Sequence, residues 1–247
     1  MNLLQHYKKL ILFNFYRFRE DNYPRMCEYF AGIFLYEIEE YISLQNKTIL
    51  DVGGANGEFC KFLSENRNCK PINVEPFPKK IIWSDTIKAP ADAMPFQGNT
   101  FDVALLRNVL EHISYEKQQL SLDEIYRVLK PGGIGYFAIP PWYNPHAGHQ
   151  LKPFHIFPFA IAKFLRKLFF RNNIPGNSYE ECDLYKITFK KMNAMILRSG
   201  FKILDTKDTH FRLHFFTKIP VIREIAVPAV AFIVKKPYEK NYYHTDI

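Results

Sequence analysis

The chain has 247 residues, 47% of them apolar, which suits one large domain or a domain with a subdomain and allows a sizeable buried core. Its 33 Lys+Arg against 25 Asp+Glu leave a net charge of +8, which favours an anionic partner such as lipid head groups, a phosphorylated substrate or nucleic acid, although scattered basic residues give the same total. Cys27, Cys60, Cys69 and Cys182 form no CxxC pair and have no histidine at ligand spacing, so neither a metal site nor a disulfide framework is expected, and a reducing, cytoplasmic setting fits.

The N-terminal stretch MNLLQHYKKLILFNFYRF carries Lys and Arg within its apolar run and no small-residue cleavage site, so no secretory signal is expected. No uncharged apolar run reaches the roughly 20 residues that span a bilayer. A soluble or membrane-peripheral protein is the expectation. Residues 1–46 read as a helical, aromatic-rich extension, and Arg25 to Leu44 has the spacing of an amphipathic helix through Met26, Phe30, Ile33, Phe34, Ile38 and Tyr41.

From Lys47 the texture changes to short apolar runs, Thr48–Val52, Pro71–Glu75, Phe101–Leu106 and Ile134–Ile139, as expected of strands covered on both faces. Between them the sequence predicts helices at Gly57–Asn66 and Tyr115–Leu129, the second stopped by Lys130-Pro131-Gly132-Gly133. This alternation argues for a parallel sheet with right-handed crossovers. Further on, helices are predicted at Phe159–Arg171 and Thr188–Ser199, the latter with Thr188 as N-cap and Gly200 at its end, then strands near Phe201–Thr206 and Ala226–Val234.

The run Ile49-Leu50-Asp51-Val52-Gly53-Gly54-Ala55-Asn56-Gly57 carries a strand into a Gly-rich turn that opens a helix, where the backbone must turn sharply and let a ligand approach. Glu75 ends the second strand, 18 positions after Gly57, where a carboxylate can accept from both hydroxyls of a ribose. Asp92, in ADAMPF, can accept from an adenine amino group with Ala93 or Met94 against the ring. Phe101-Asp102-Val103, Asn108-Val109-Leu110-Glu111-His112 and Leu129-Lys130-Pro131-Gly132-Gly133 follow.

The series LDVGGANG, NVEP, ADAMPF, FDVALLRNVLEH and LKPGG resembles class I S-adenosylmethionine-dependent methyltransferases, close to the ubiquinone and menaquinone biosynthesis group. The resemblance is strong over about residues 47–140. It implies a Rossmann-like α/β fold, a seven-stranded sheet ordered 3-2-1-4-5-7-6 with strand 7 antiparallel and helices on both faces. S-adenosyl-L-methionine would lie across the strand ends. By position, Asp51, Gly53, Gly54, Ala55 and Gly57 would surround its methionine part, Glu75 its ribose, Asp92 and Ala93 its adenine, and Asn108 the sulfonium region. Residues 1–46 would form a lid, and 47–247 the methyltransferase domain with an acceptor-side insertion at about 141–187. Ala55 stands where the family has glycine; a turn that tolerates alanine should hold it at negative φ.

A nicotinamide dehydrogenase is the nearest rival, but Ala55 and Glu58 occupy positions that its G-x-G-x-x-G pattern needs as glycine. Ile139-Pro140-Pro141-Trp142 invites comparison with the Asp/Asn-Pro-Pro-aromatic loop of nucleic-acid amino-methyltransferases, yet here Ile139 precedes the prolines and the loop follows strand five. DNA methylation is not supported, and RNA remains a charge-based alternative beside a non-catalytic cofactor-binding module.

The segment Pro140 to Gln150, followed by an aromatic stretch with His155, resembles a Pro-Pro-aromatic…Gly-His element of relatives in surface-glycan and lipid biosynthesis, and should overhang the transferable methyl. His149 and Tyr143 are the candidates for general base and acceptor orientation, because imidazole takes a hydroxyl proton near neutral pH. His112, beside Glu111 at a helix start, reads rather as a structural cap. A small-molecule, lipid-linked or glycan acceptor is therefore expected, with O-methylation first and C- or N-methylation next. Lys163, Arg166, Lys167 and Arg171 on one side of the Phe159–Arg171 helix read first as a solvated face over a buried one, with peripheral contact to an anionic membrane as the alternative.

Overall fold

The apolar runs become strands because helices cover both faces of the sheet they build. The computed structural model describes residues 3–16 and 22–238. Its strands are β1 (Thr48–Val52), β2 (Lys70–Val74), β3 (Thr86–Ile87), β4 (Phe101–Arg107), β5 (Leu129–Ile139), β6 (Lys202–Asp208) and β7 (Val230–Lys235). They form one sheet ordered β3-β2-β1-β4-β5-β7-β6, parallel throughout except that β7 runs antiparallel to β5 and β6. This is the doubly wound order that the sequence resemblance implies. The helices are α1 (Leu3–Tyr16), α2 (Asn22–Ile38), α3 (Glu58–Asn66), α4 (Tyr115–Val128), α5 (Phe159–Phe170), α6 (Phe189–Arg198) and α7 (Pro220–Ile225).

Side chains alternate across the strands and divide the core in two. Leu50, Leu106, Phe137 and Phe232 face α4 and α6, packing on Leu122, Ile125, Met192 and Ile196. Ile49, Leu105, Tyr136 and Ile233 face α2 and α3, packing on Phe34, Ile38, Phe59 and Leu63. A third, smaller cluster of Trp142, Leu151, Ala162, Ile174 and Leu184 holds the long connection between β5 and α6 together.

Local signals account for most boundaries. Thr188 Oγ1 accepts from Lys191 N at 3.1 Å and starts α6, and Gly200 follows its end at φ +91. Two expectations are corrected. α2 stops at Ile38, with turns over 39–41, rather than continuing to Leu44. Lys130 to Gly133, expected to lie between helix and strand, belongs to β5, which starts at Leu129 and shifts register against β4 between Phe101 and Val103. The two-residue β3 carries too short an apolar run to stand out in the sequence.

The N-terminal helices are tied to the sheet by polar contacts as well as packing. His6 bonds both the Tyr29 hydroxyl and the carbonyl of His210, and Tyr7 Oη donates to Phe211 O at 2.9 Å, joining α1 to α2 and to the loop after β6. Tyr136 Oη donates to Glu37 Oε2 at 2.7 Å beneath α2, where Glu37 is fully buried. Burial raises the Glu37 pKa to about 7 against the opposing Tyr136 hydrogen bond. Folded Glu37 thus retains a proton that the unfolded chain has lost, so its contribution weakens as pH rises from the ordinary carboxylate range to about 7. Replacing Glu37 by Gln should remove that decline. The stability of Glu37→Gln relative to wild type, measured by denaturant unfolding, should rise by about 3 kcal/mol between pH 4.5 and 7. A difference that does not change with pH would show that Glu37 titrates normally.

Candidate functional site

Backbone geometry opens the crevice before any side chain enters it. β1 and β4 are parallel neighbours at the point where the strand order reverses, since β1 leads outward to β2 and β4 leads the other way to β5. Ligands of open α/β sheets settle outside the strand ends at such a point. After β1 the chain turns through Gly53 at φ +71, where a Cβ would collide with Val109 of the loop after β4. Asn108, at the exit of β4, is left-handed at φ +54.

Ala55 corrects the expected negative φ: it sits at +52. For an alanine this region costs about 1–2 kcal/mol. Neighbouring contacts hold it there, with Asn73 Nδ2 donating to Ala55 O at 3.2 Å and the Ala55 N–H donating to Glu75 Oε2 at 3.2 Å.

A cavity of about 470 Å³ lies against this turn. Of the expected residues, Gly53, Gly54, Ala55 and Asn108 line it, joined by Phe30 and Phe34 from α2, Phe59 from α3, and Arg107, Tyr136 and His210. Asp51 lies beneath Gly54, fully buried, with neither carboxylate oxygen hydrogen-bonded and Arg107 Nη2 at 3.6 Å. Burial pushes its pKa up, and the Arg107 charge works against that rise. The Arg107 guanidinium stacks over the Phe59 ring at 3.2 Å from its centroid, and its Nε has no hydrogen-bond partner.

Along the neighbouring strand ends stand the other expected residues. Glu75 follows β2 and folds back over the turn, its Oε1 accepting from Phe77 N at 3.2 Å. Asp92 lies beyond β3, paired with Lys117 Nζ at 3.0 Å, with Ala93 exposed beside it and Met94 buried. Gly57, at φ +94, precedes α3 as its N-cap.

These residues fit S-adenosylmethionine. Glu75 and Asp92 offer carboxylate acceptors at successive strand ends for ribose hydroxyls and an adenine amino group. Arg107, with an orphaned Nε in the cavity wall, offers a guanidinium to the methionine carboxylate.

On the acceptor side, a second cluster forms where the chain after β4 meets the segment after β5. Glu111, in the 3-10 turn Leu110–His112, is buried, and neither oxygen has a hydrogen-bond partner. His149 Nε2 lies 3.9 Å from Glu111 Oε1, and the His149 and His112 rings meet edge to face at 4.6 Å. His112 Nδ1 donates to Asp183 O at 2.7 Å, the anchoring role its position suggests. Ligand atoms of all three residues lie within 4.8 Å of one another. His149 itself is at φ +47, and the preceding Gly148 packs so closely on the His155 ring that a Cβ there would collide with it.

The remaining candidates take other places. Tyr143 is directed to Lys186, whose Nζ donates to its hydroxyl at 2.8 Å. His155 is fully buried; its Nε2 bonds Trp142 O at 2.6 Å and its ring meets Trp142 edge to face, a structural arrangement. His149 is not among the residues lining the cofactor-side cavity, whereas His210 is. Burial lowers the His210 pKa to about 4, aided by repulsion from His146 and His6, so the ring is neutral near pH 7. Arg107, Tyr136 and His210 were missed by sequence reasoning. Arg107 alone left a signal, a cation at the carboxyl end of a buried strand.

Known proteins resemble this chain in sequence and in fold. A family model described as a methyltransferase domain matches residues 50–137. An uncharacterised methyltransferase of Mycobacteroides abscessus is 26% identical over 216 residues, 81% of each chain. Among solved structures, the 1,6-didemethyltoxoflavin-N1-methyltransferase of Burkholderia thailandensis, with its substrate and S-adenosylhomocysteine bound, superimposes with a TM-score of 0.56 at 13% identity, covering 96% of this chain and 91% of that one. The [4+2]-cyclase SpnF gives 0.56 at 16% identity, over 89% and 82%. The fold is therefore shared with an enzyme of different reaction, and the chemistry has to be argued from the site.

Replacing Glu75 by Ala leaves the ribose hydroxyls without a charged acceptor and should weaken S-adenosylhomocysteine binding by about 1.5–3 kcal/mol in calorimetry. Unchanged affinity in a folded variant would remove Glu75 from the site. Ala55→Gly relieves the left-handed alanine and should raise stability by up to about 1 kcal/mol; a loss would mean that the alanine methyl packs productively.

Proposed function

We propose that this chain, a member of the class I S-adenosylmethionine-dependent methyltransferase family, transfers the methyl group to a hydroxyl of a small, lipid-linked or glycan-linked acceptor. Bound S-adenosylmethionine supplies an electrophilic methyl on a sulfonium whose departure is already favourable. The chain's share is then alignment, exclusion of water and, for a hydroxyl acceptor, removal of a proton.

The observation that carries the hydroxyl reading is the buried, unpartnered Glu111 carboxylate behind the half-exposed His149. Glu111 faces Nε2 and favours the tautomer with its proton there, which leaves Nδ1 as the basic nitrogen. The separation of 3.9 Å is an ion-pair contact, and such pairs often tighten only when substrate is present. As Nδ1 takes the hydroxyl proton, the carboxylate stabilises the imidazolium. Asn108, one turn upstream at the β4 exit, links this cluster to the cofactor-side cavity.

Support for a lipid-linked acceptor comes from a groove of about 410 Å³ in which Tyr143 and Ile156 face Pro220, Val221, Glu224 and Ile225 of α7, the Glu224 carboxylate accepting from Phe189 N and Lys190 N. Its walls suit an alkyl or isoprenoid chain, and Tyr143 at its edge can orient what the chain carries. Peripheral association with a membrane belongs to the same reading. Among the described residues no helix is long and apolar enough to cross a membrane.

His149→Ala should reduce turnover by about 10²–10⁴-fold while cofactor affinity stays near wild type, and Glu111→Gln should fall in the same direction. Labelled cofactor screened against lipid, sugar and quinone extracts supplies the acceptor for the assay. If His210→Ala abolishes turnover and His149→Ala does not, the base lies on the α2 side instead. Loss of activity on chelation, restored by a divalent cation, would replace proton transfer by metal binding at Glu111, His112 and His149.

A further inference from the structure

α5 is an inverted surface helix. Ala162 and Arg166 turn inward, whereas Ile161, Phe164 and Leu168, spaced to share one stripe, are 48%, 62% and 59% exposed. Phe157, one turn before Ile161, prolongs the stripe, and Phe169 and Phe170 are also exposed at its far end. So large an apolar face on one helix is unusual for a surface meant only for water.

The chain that carries it holds charge of one sign. From residue 125 to residue 179 the sequence contains no Asp or Glu, but it contains Arg127, Lys130, Lys152, Lys163, Arg166, Lys167 and Arg171. Lys163 and Lys167 lie one turn apart, and Arg171, the left-handed C-cap of α5, stands one turn further along the same flank. Lys163 folds onto Gly176 O and Arg166 onto Lys152 O, whereas Lys167 and Arg171 are exposed beside the apolar stripe. The exposed carboxylates Glu180, Glu181 and Asp183 belong to the segment that packs on the Lys163 side, so the apolar ridge and the cations Lys167 and Arg171 towards the end of α5 are what match the head-group region of an anionic bilayer, where aromatic and aliphatic side chains enter and Lys and Arg meet phosphates.

We propose that α5 docks the protein on an anionic phospholipid surface, with Phe157, Ile161, Phe164 and Leu168 inserted and Lys167 and Arg171 at the phosphates. The segment leading into α5 contributes Ile156 to the apolar groove with Tyr143 and α7, so the groove opens beside the docked face. A lipid-linked acceptor could then enter from the bilayer; the docking itself does not depend on the acceptor or on turnover.

Cosedimentation of the full chain with phosphatidylcholine vesicles, with and without phosphatidylglycerol, tests this independently of catalysis. The protein should bind the mixed vesicles at low salt, at least about tenfold more tightly than pure phosphatidylcholine, and release as salt rises. Lys167→Glu with Arg171→Glu should weaken binding by about 30-fold or more. Phe164→Ser with Leu168→Ser should abolish it, while thermal unfolding and S-adenosylhomocysteine affinity stay as in wild type. Absence of vesicle binding by the wild type, or retention of binding by both variants, would overturn the proposal. So would a stable dimer in lipid-free sedimentation that Phe164→Ser with Leu168→Ser dissolves, because a second copy would then cover the face.

Discussion

The parallel pair β1–β4 lies where the order of the sheet reverses, and the loops that leave it must part for a ligand to reach the strand ends. That parting is made by backbone in the left-handed region at Gly53, Ala55 and Asn108. Gly53 is confined by Val109 across the crevice, so the two loops are mutually fitted. Asp51 and Arg107, the last inward-facing residues near these strand ends, place opposite charges under the turn with hydrogen-bonding capacity left over. A polar floor kept incompletely satisfied inside a folded core is costly unless a ligand or water completes it. The carboxylates of Glu75, first residue after β2, and Asp92, five residues beyond β3, stand in the connections that leave the same edge of the sheet.

Two walls then rise from this floor. One is built from α2, Tyr136 and the loop after β6, which His6 of α1 ties down, and it carries buried groups with shifted pKa values in opposite senses, Glu37 upward and His210 downward. Both shifts favour the neutral form, as expected of a dry wall. The other wall is the segment after β5, with its own small apolar core around Trp142, and it brings His149 over Glu111. Polar chemistry is exposed on the second wall and suppressed on the first, which is why proton transfer is assigned to His149.

Much of this was legible in the sequence where the signal is local. Thr48–Val52 is a continuous apolar run closed by Gly53, and its bounds are those of β1. Thr188 has the side chain that caps a helix and does so. The carboxylate of Glu75 follows from its place at the end of a predicted strand, and Asp92 is found through the motif ADAMPF. What escaped depends on distant partners. Ala55 takes positive φ because Asn73 and Glu75 hold it, and alanine itself gives no hint of this. Glu111 and His149 are 38 positions apart, and His210 enters the cavity from the far end of the chain, so periodicity cannot pair them. Lys130 to Gly133 read as punctuation because Pro and Gly usually end elements, yet pairing of Leu129 and Ile134 with β4 on either side carries β5 through them.

The central claim is that the crevice between β1 and β4 receives S-adenosylmethionine, with Glu75 exchanging its contact with Ala55 N for the ribose. A crystal structure of the chain with S-adenosylhomocysteine tests it directly. The account predicts both ribose hydroxyls within hydrogen-bond distance of Glu75, the adenine beside Asp92 and Met94, and the amino-acid carboxylate at Arg107. A ligand seated elsewhere, or a Glu75 carboxylate still closed onto Ala55 N with the ligand bound, would contradict it.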